Sequence, residues 1–248
     1  MPLLPLVLLH GYPFDHTMWD HVAALLDERT RVLAPDFPGF GERPVAEQAP
    51  SIDVMADDVA GLLKREGIPR AVVAGMSMGG YVALAFAQHY KERFAGLGLI
   101  STQSAADTEQ ARAGRRAMIG KVQREGSEAA ARAALEKLFA PRNANKPELI
   151  RFPLQGAKRA GAAGIVWALE AMASRPDRTE LLKHLNVPVL VLHGEEDQFI
   201  PIHRARAMAQ LVPGADFVPV PAVGHATPLE APTQVANALD SLLARANQ

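Results

Sequence analysis

Residues Ala71 to Gly80 read Ala-Val-Val-Ala-Gly-Met-Ser-Met-Gly-Gly and run directly into Tyr81-Val-Ala-Leu-Ala-Phe-Ala-Gln-His89. The unbroken apolar run is the pattern of a strand buried on both faces, and the alanine-rich stretch after it is the pattern of a helix. Ser77 therefore falls on the turn between them. A strand that reverses at once into a helix forces its turn residue into a strained conformation. Glycine two positions before and two after lets the backbones pass without a Cβ clash. The hydroxyl is then held out at the carboxyl end of a sheet, beside the first free amides of the helix. This predicts a nucleophile rather than a packing turn.

The rest of the chain supplies the sheet that such a turn needs. Leu6 to Leu9 predicts a short buried strand ending at His10-Gly11-Tyr12-Pro13, followed by a helix over Thr17 to Leu26 with apolar positions at Met18, Val22, Leu25 and Leu26. Val32 to Ala34 predicts a second strand. Ser51 then caps a helix whose apolar face is Ile52, Met55, Val59, Leu62 and Leu63, stopped at Gly67-Ile68-Pro69. Leu97 to Ile100, Val187 to Gly194 and Phe217 to Val220 predict further strands, with helices at Ile202 to Leu211 and Leu229 to Ala244. Strands alternating with helices predict an α/β, doubly wound and mostly parallel sheet with its ligands at the carboxyl edge. From Thr102 to Leu182 no strand pattern is visible. Helices are predicted there at Ala111 to Glu125, Glu128 to Phe139, Ala157 to Ala173 and Arg178 to Leu185, so residues 103–182 read as a helical insertion into a core formed by residues 1–102 and 183–248.

Composition narrows the function classes. With 26 basic against 27 acidic residues and no long like-charge block, the chain carries no electrostatic footprint for nucleic acid or an anionic membrane. The absence of cysteine excludes disulfides and thiolate catalysis and fits a reducing, cytoplasmic setting. The apolar start Met1 to Leu9 lacks a basic flank and contains two prolines, and is read as the first strand rather than a signal peptide. No metal-ligand pattern or cofactor motif appears, and nothing selects between a monomer and a homo-oligomer.

A serine at its free pKa is a poor nucleophile, so Ser77 needs a base and a group to orient that base. Both are expected at strand ends. Glu195-Glu196-Asp197 follows the strand ending at Gly194, and Gly224-His225 follows the last strand. The register from Gly194 favours Asp197 over the two glutamates. His10 and His193, flanking glycines at strand ends, are expected to be structural; Asp36 is expected to hold a turn, and Glu230 to be a helix N-terminal charge.

With these residues in order, the sequence resembles an α/β-hydrolase-fold serine hydrolase over essentially its whole length. The residues carrying the resemblance are His10-Gly11-Tyr12, Gly75-x-Ser77-x-Gly79-Gly80, Gly194-x-x-Asp197 and Gly224-His225 with Pro228-Leu229-Glu230-x-Pro232. It implies that Ser77 attacks a carbonyl, His225 carries the proton, Asp197 holds the imidazole tautomer, and the backbone N–H groups of Tyr12 and Met78 receive the oxyanion. It also implies that the insertion is a cap, with Phe14, Met76, Phe139, Trp167 and Phe199 as candidates to line the substrate pocket; for Phe139 and Trp167, packing of the cap against the sheet is the favoured reading. Relatives usually begin with a two-strand hairpin, so the sheet is expected to be about two strands short, with an edge that needs cover.

Serine at the turn separates the chain from branches that use aspartate there, and Met76 with Tyr12-Pro13-Phe14 separates it from the carbon-carbon hydrolases and proline iminopeptidases of the family. The implied reaction is hydrolysis of a small-molecule carboxylic ester or lactone, and with no cluster of charges in the insertion pointing to an ionic substrate, small or medium, mostly apolar esters are expected. The resemblance extends to enol-lactonases and, through Pro13, to cofactor-free haloperoxidases that act as perhydrolases. A hydrolase-fold protein that only binds its ligand is the alternative from another class.

Overall fold

The computed structural model describes residues 3–248. Its centre is a sheet of six strands, β1 (Leu6–Leu9), β2 (Val32–Leu33), β3 (Ala71–Met76), β4 (Phe94–Ile100), β5 (Val189–Gly194) and β6 (Asp216–Val220), in the order β2-β1-β3-β4-β5-β6. Every neighbouring pair is parallel. The chain winds outward from β1 to β2, crosses back to β3 and continues to β6, so the order reverses between β1 and β3. Ligands of such sheets bind at that reversal, outside the strands' carboxyl ends.

The strands are apolar throughout because helices cover both faces. Val7 and Leu9 share one face with Val73, Leu97 and Leu99, under helices α2 (Ile52–Arg65), α3 (Met78–His89) and α8 (Ile202–Leu211). Leu6 and Leu8 share the other with Val72, Ala74 and Leu192. They lie under Trp19, Val22 and helix α10 (Pro232–Ala246). Each fully buried Val or Leu contributes about 1.5–3 kcal/mol of transfer free energy. The edge strand β2 is only two residues long, which leaves little backbone for another chain to pair with.

The helical stretch consists of α4 (Glu109–Glu125), α5 (Glu128–Leu138), α6 (Pro147–Ser174) and α7 (Thr179–Leu182). No helix among the described residues is long and apolar enough to cross a membrane. Residues of α4, α5 and α6, including Val122, Ala131, Ile165 and Trp167, join the same apolar cluster as α2 and α3. The helices are thus packed onto the core rather than tethered to it.

Several boundaries differ from the sequence expectation, each for a local reason. The helix expected over Thr17 to Leu26 is a 3-10 turn, His16–Trp19, followed by the single turn α1 (Asp20–Ala23). Its later bonds run back three residues, and Leu25 ends half-exposed while Leu26 is buried. Helix α6 begins ten residues before the expected Ala157, at Pro147, a residue suited to the first helical position because it has no N–H to leave unpaired. It bends at Gly161, where φ is 64°. The closing helix is divided into α9 (Thr227–Glu230) and α10, since Ala231 leaves the helical conformation (φ −141°, ψ 56°) and Pro232 restarts the helix.

Candidate active site

Ser77 occupies φ 52° and ψ −111°, a strained conformation for a residue with a side chain. Two contacts make it possible. A Cβ on Gly75 would run into the Gly79 carbonyl, and one on Gly79 would run into the carbonyl of Leu9 on the neighbouring strand. The turn is then fastened from outside. The Ser77 N–H donates to the Ile100 carbonyl at 2.9 Å, extending the β3–β4 ladder by one residue, and the Ser77 carbonyl accepts from Thr102 Oγ1 at 2.8 Å.

Against the Ser77 hydroxyl stands His225, its Nε2 2.9 Å from Oγ. On the far side of the ring, Nδ1 lies 2.7 Å from Asp197 Oδ2. A carboxylate can only accept, so Nδ1 carries the proton and the Nε2 lone pair faces the serine O–H. Asp197 is almost wholly buried, with Oδ1 accepting the N–H groups of Phe199 at 2.8 Å and Ile200 at 2.9 Å. Burial alone would raise its pKa. The His225 and His193 imidazoles outweigh that and hold the carboxyl well below the usual carboxylate range. His193 Nε2 sits 3.1 Å from Asp197 Oδ2 and 2.7 Å from the Ile200 carbonyl. Glu195 and Glu196 are exposed, away from this chain of contacts.

The loop carrying His225 is held by the helical stretch. The N–H groups of His225 and Ala226 both donate to the Leu138 carbonyl, at 3.1 and 3.0 Å. Glu230, expected as a helix N-terminal charge, has a different role. Its Oε1 accepts from Gly224 N–H at 3.0 Å, and its Oε2 from Ala140 N–H and Asn143 Nδ2, both at 2.8 Å. It therefore ties the histidine loop to residues 140–143, and burial raises its pKa despite those donors.

The β1 loop forms the opposite wall. His10 is buried, with Nδ1 3.0 Å from the Gly11 carbonyl and Nε2 accepting from Phe37 N–H at 3.1 Å. Burial lowers its pKa, so it is a neutral spacer that fixes the loop. Next to it the Tyr12 N–H pairs with no other described backbone or side-chain group, and Met78 opens α3, whose first amides have no carbonyl one turn back. Tyr12 and Ser77 both line the same cavity. An oxygen developing charge beside Ser77 would meet such donors.

That cavity has a volume of about 520 Å³ and is bounded by Ser77 and His225 on the sheet side and by α4, α5 and α6 on the other. Of the five pocket candidates, Phe199 lines it. Phe14, Met76, Phe139 and Trp167 do not: all four are packed into the two apolar clusters. Trp167 also donates from Nε1 to the Gln48 carbonyl at 3.3 Å, fastening α6 to the core. Tyr81, Asp107, Arg115, Lys137 and Met172 line the cavity instead. A grouping with metal-ligand residue types among the described residues, Asp15, His16 and Asp36, lies elsewhere. Its carboxylates are already engaged, Asp15 by Thr17 and Arg159 and Asp36 by His16.

Residues 6–238 match the model of the Alpha/beta hydrolase family. Among solved structures, the chain is similar to a thermophilic esterase from Thermogutta terrifontis solved with malate bound. The two share 39% identity at a TM-score of 0.94, over 99% of this chain and 91% of that one. It is also similar to the enol-lactonase from Burkholderia xenovorans LB400 (25% identity, TM-score 0.87, 97% and 92% covered). A further relative is the bifunctional esterase/perhydrolase DCH of Acinetobacter calcoaceticus, 29% identical over 88% of this chain and 84% of its own length. With the family model matched over residues 6–238 and the fold shared with these solved structures, the chain belongs to the α/β-hydrolase family.

Proposed function

We propose that the protein is a serine carboxylic ester hydrolase working through an acyl-serine intermediate, with residues 103–182 as the cap over its site. The observation that carries this reading is the continuous relay from Asp197 to His225 at 2.7 Å and from His225 to Ser77 at 2.9 Å, opening onto a cavity under the helical stretch. His225 Nε2 takes the Ser77 proton as Oγ attacks the ester carbonyl. The Tyr12 and Met78 amides receive the oxyanion, and the imidazolium returns its proton to the departing alkoxide. Water then attacks the acyl-serine with the same base, releasing the acid and restoring Ser77. Asp197, held ionised, keeps the imidazole in the working tautomer and stabilises its charged form.

Lactones are internal esters and require no other machinery; the similarity to an enol-lactonase supports including them. The esterase/perhydrolase relative and Pro13 beside the proposed oxyanion site support a second activity, peracid formation when hydrogen peroxide replaces water in deacylation.

Hydrolysis of p-nitrophenyl esters from acetate to palmitate, beside Ser77→Ala, tests the reading. Turnover on the shorter esters that falls by about 10⁴-fold or more in the variant is expected. Ester turnover retained by Ser77→Ala would remove Ser77 as the nucleophile.

A further inference from the structure

The cavity wall is not neutral. Arg115 from α4 and Lys137 from α5 line it together with Ser77 and His225, and Asp107 is the carboxylate beside them. Asp107 is not Arg115's alone. Its Oδ2 accepts Arg115 Nε at 2.5 Å, while its Oδ1 accepts Arg175 Nη1 at 2.6 Å, and Arg175 is itself 3% exposed. Asp177 lies near Arg175 but is exposed and accepts the N–H groups of Ala106 and Thr179. The positions three and four residues either side of Lys137 hold alanines and a proline, so no acid on its own helix answers it. Two cations, Arg115 and Lys137, thus share the wall of a serine site with one buried carboxylate, which Arg175 engages from behind.

Tyr81, another lining residue, carries Arg175 over its ring at 4.0 Å from the centroid. Excess positive charge with a guanidinium at this wall suits a planar anion.

We infer that the substrate carries, besides its scissile ester or lactone bond, a free carboxylate that is received by Arg115, with Lys137 adding charge at the wall. The preferred substrates are therefore half-esters of dicarboxylic acids or lactones bearing a carboxylate, not the mostly apolar esters that an alanine-rich cap suggests. This rests on the hydrolase reading above. A purely structural Asp107 staple joining α4 to the end of α6 would give no preference for charged substrates.

The test compares matched pairs on the wild type: the p-nitrophenyl half-ester of glutaric acid against p-nitrophenyl pentanoate, and inhibition by glutarate against pentanoate. The expected result is kcat/KM at least about tenfold higher for the half-ester, and glutarate at least about tenfold tighter. Arg115→Gln should lose most of that preference through KM, Arg115→Lys should restore part of it, and Lys137→Ala should lower it. If Arg115→Gln does not fold, the wild-type pairs and Lys137→Ala decide. Ser77-dependent turnover with the half-ester no better than the neutral ester would overturn the inference and leave the hydrolase reading standing. Loss of the hydrolase reading, with no ester turned over, leaves calorimetric binding of glutarate against pentanoate as the deciding measurement: a selective dicarboxylate site upholds the inference, and equal binding overturns it.

Discussion

The loops at the carboxyl edge of the sheet and the helical stretch above them are built on different terms. Around Ser77, both ring nitrogens of His225 and both oxygens of Asp197 have partners at 2.7–3.1 Å, and the turn is fastened on two sides. In the helical stretch the cavity wall is mostly small and apolar side chains, with a few charged ones whose roles depend on what enters. The reaction centre is overdetermined by its own backbone, while selectivity is left to side chains that the fold does not require. In the proposed reaction, one region sets the bond that breaks and the other which molecule arrives.

Replacing Asp197 by Asn gives the largest effect expected within the loops. The amide cannot hold the imidazole in the same tautomer, and kcat should fall by about 10⁴-fold with the fold retained. Single-turnover kinetics check this, and a change under tenfold would show that the centre is less tightly determined than the comparison holds. The same residue links to stability. Its folded pKa lies below its unfolded value of about 3.9, so the stabilisation it contributes is complete above that pH and is lost as pH falls through the folded value. Melting temperatures followed from neutral pH into acid should therefore fall less steeply in Asp197→Asn than in the wild type.

Glu230 is where the two regions meet, and Glu230→Ala leaves three N–H donors unanswered between the histidine loop and residues 140–143. Displacing His225 by even 1 Å should cost about 10²-fold in kcat. Unchanged kcat with lowered stability would make the carboxylate a staple only. Trp167→Ala should act in the opposite way. It removes a nearly buried ring between α6 and the core, costing about 3–5 kcal/mol of stability by denaturant titration, with little change in kcat for the protein that remains folded. The smallest effect belongs to Phe199→Ala. This ring is 43% exposed at the cavity and 5.1 Å from the His225 ring, and its loss should raise KM by about two- to fivefold.

How much of this could be read from residues alone follows the same division. Strand ends are marked by apolar runs stopping at glycine, so the positions of Ser77, Asp197 and His225 at one sheet edge were legible, and they meet there. Phe14 and Met76 were misread because lying near that edge in sequence does not tell which side of the sheet a side chain takes; both lie in the apolar core. Phe139 and Trp167 pack for the same reason, as large apolar surface is worth most when buried. Arg115 was hidden among many arginines, and its pairing with Asp107 depends on a loop-to-helix contact that no periodicity marks. Glu230 looked like an ordinary first-turn acid, since its partners lie about 90 residues away in the chain. Pro232, by contrast, was a visible start signal that divided the closing helix.

The central claim is that Ser77 becomes acylated during turnover. The most direct measurement is titration with a fluorophosphonate, following residual ester hydrolysis while intact-protein and peptide masses locate the adduct. The account predicts one label per chain, on the peptide containing Ser77, with activity lost in proportion to labelling and no adduct on Ser77→Ala. A fully labelled Ser77 with undiminished hydrolysis, or inactivation with the adduct elsewhere, would contradict it.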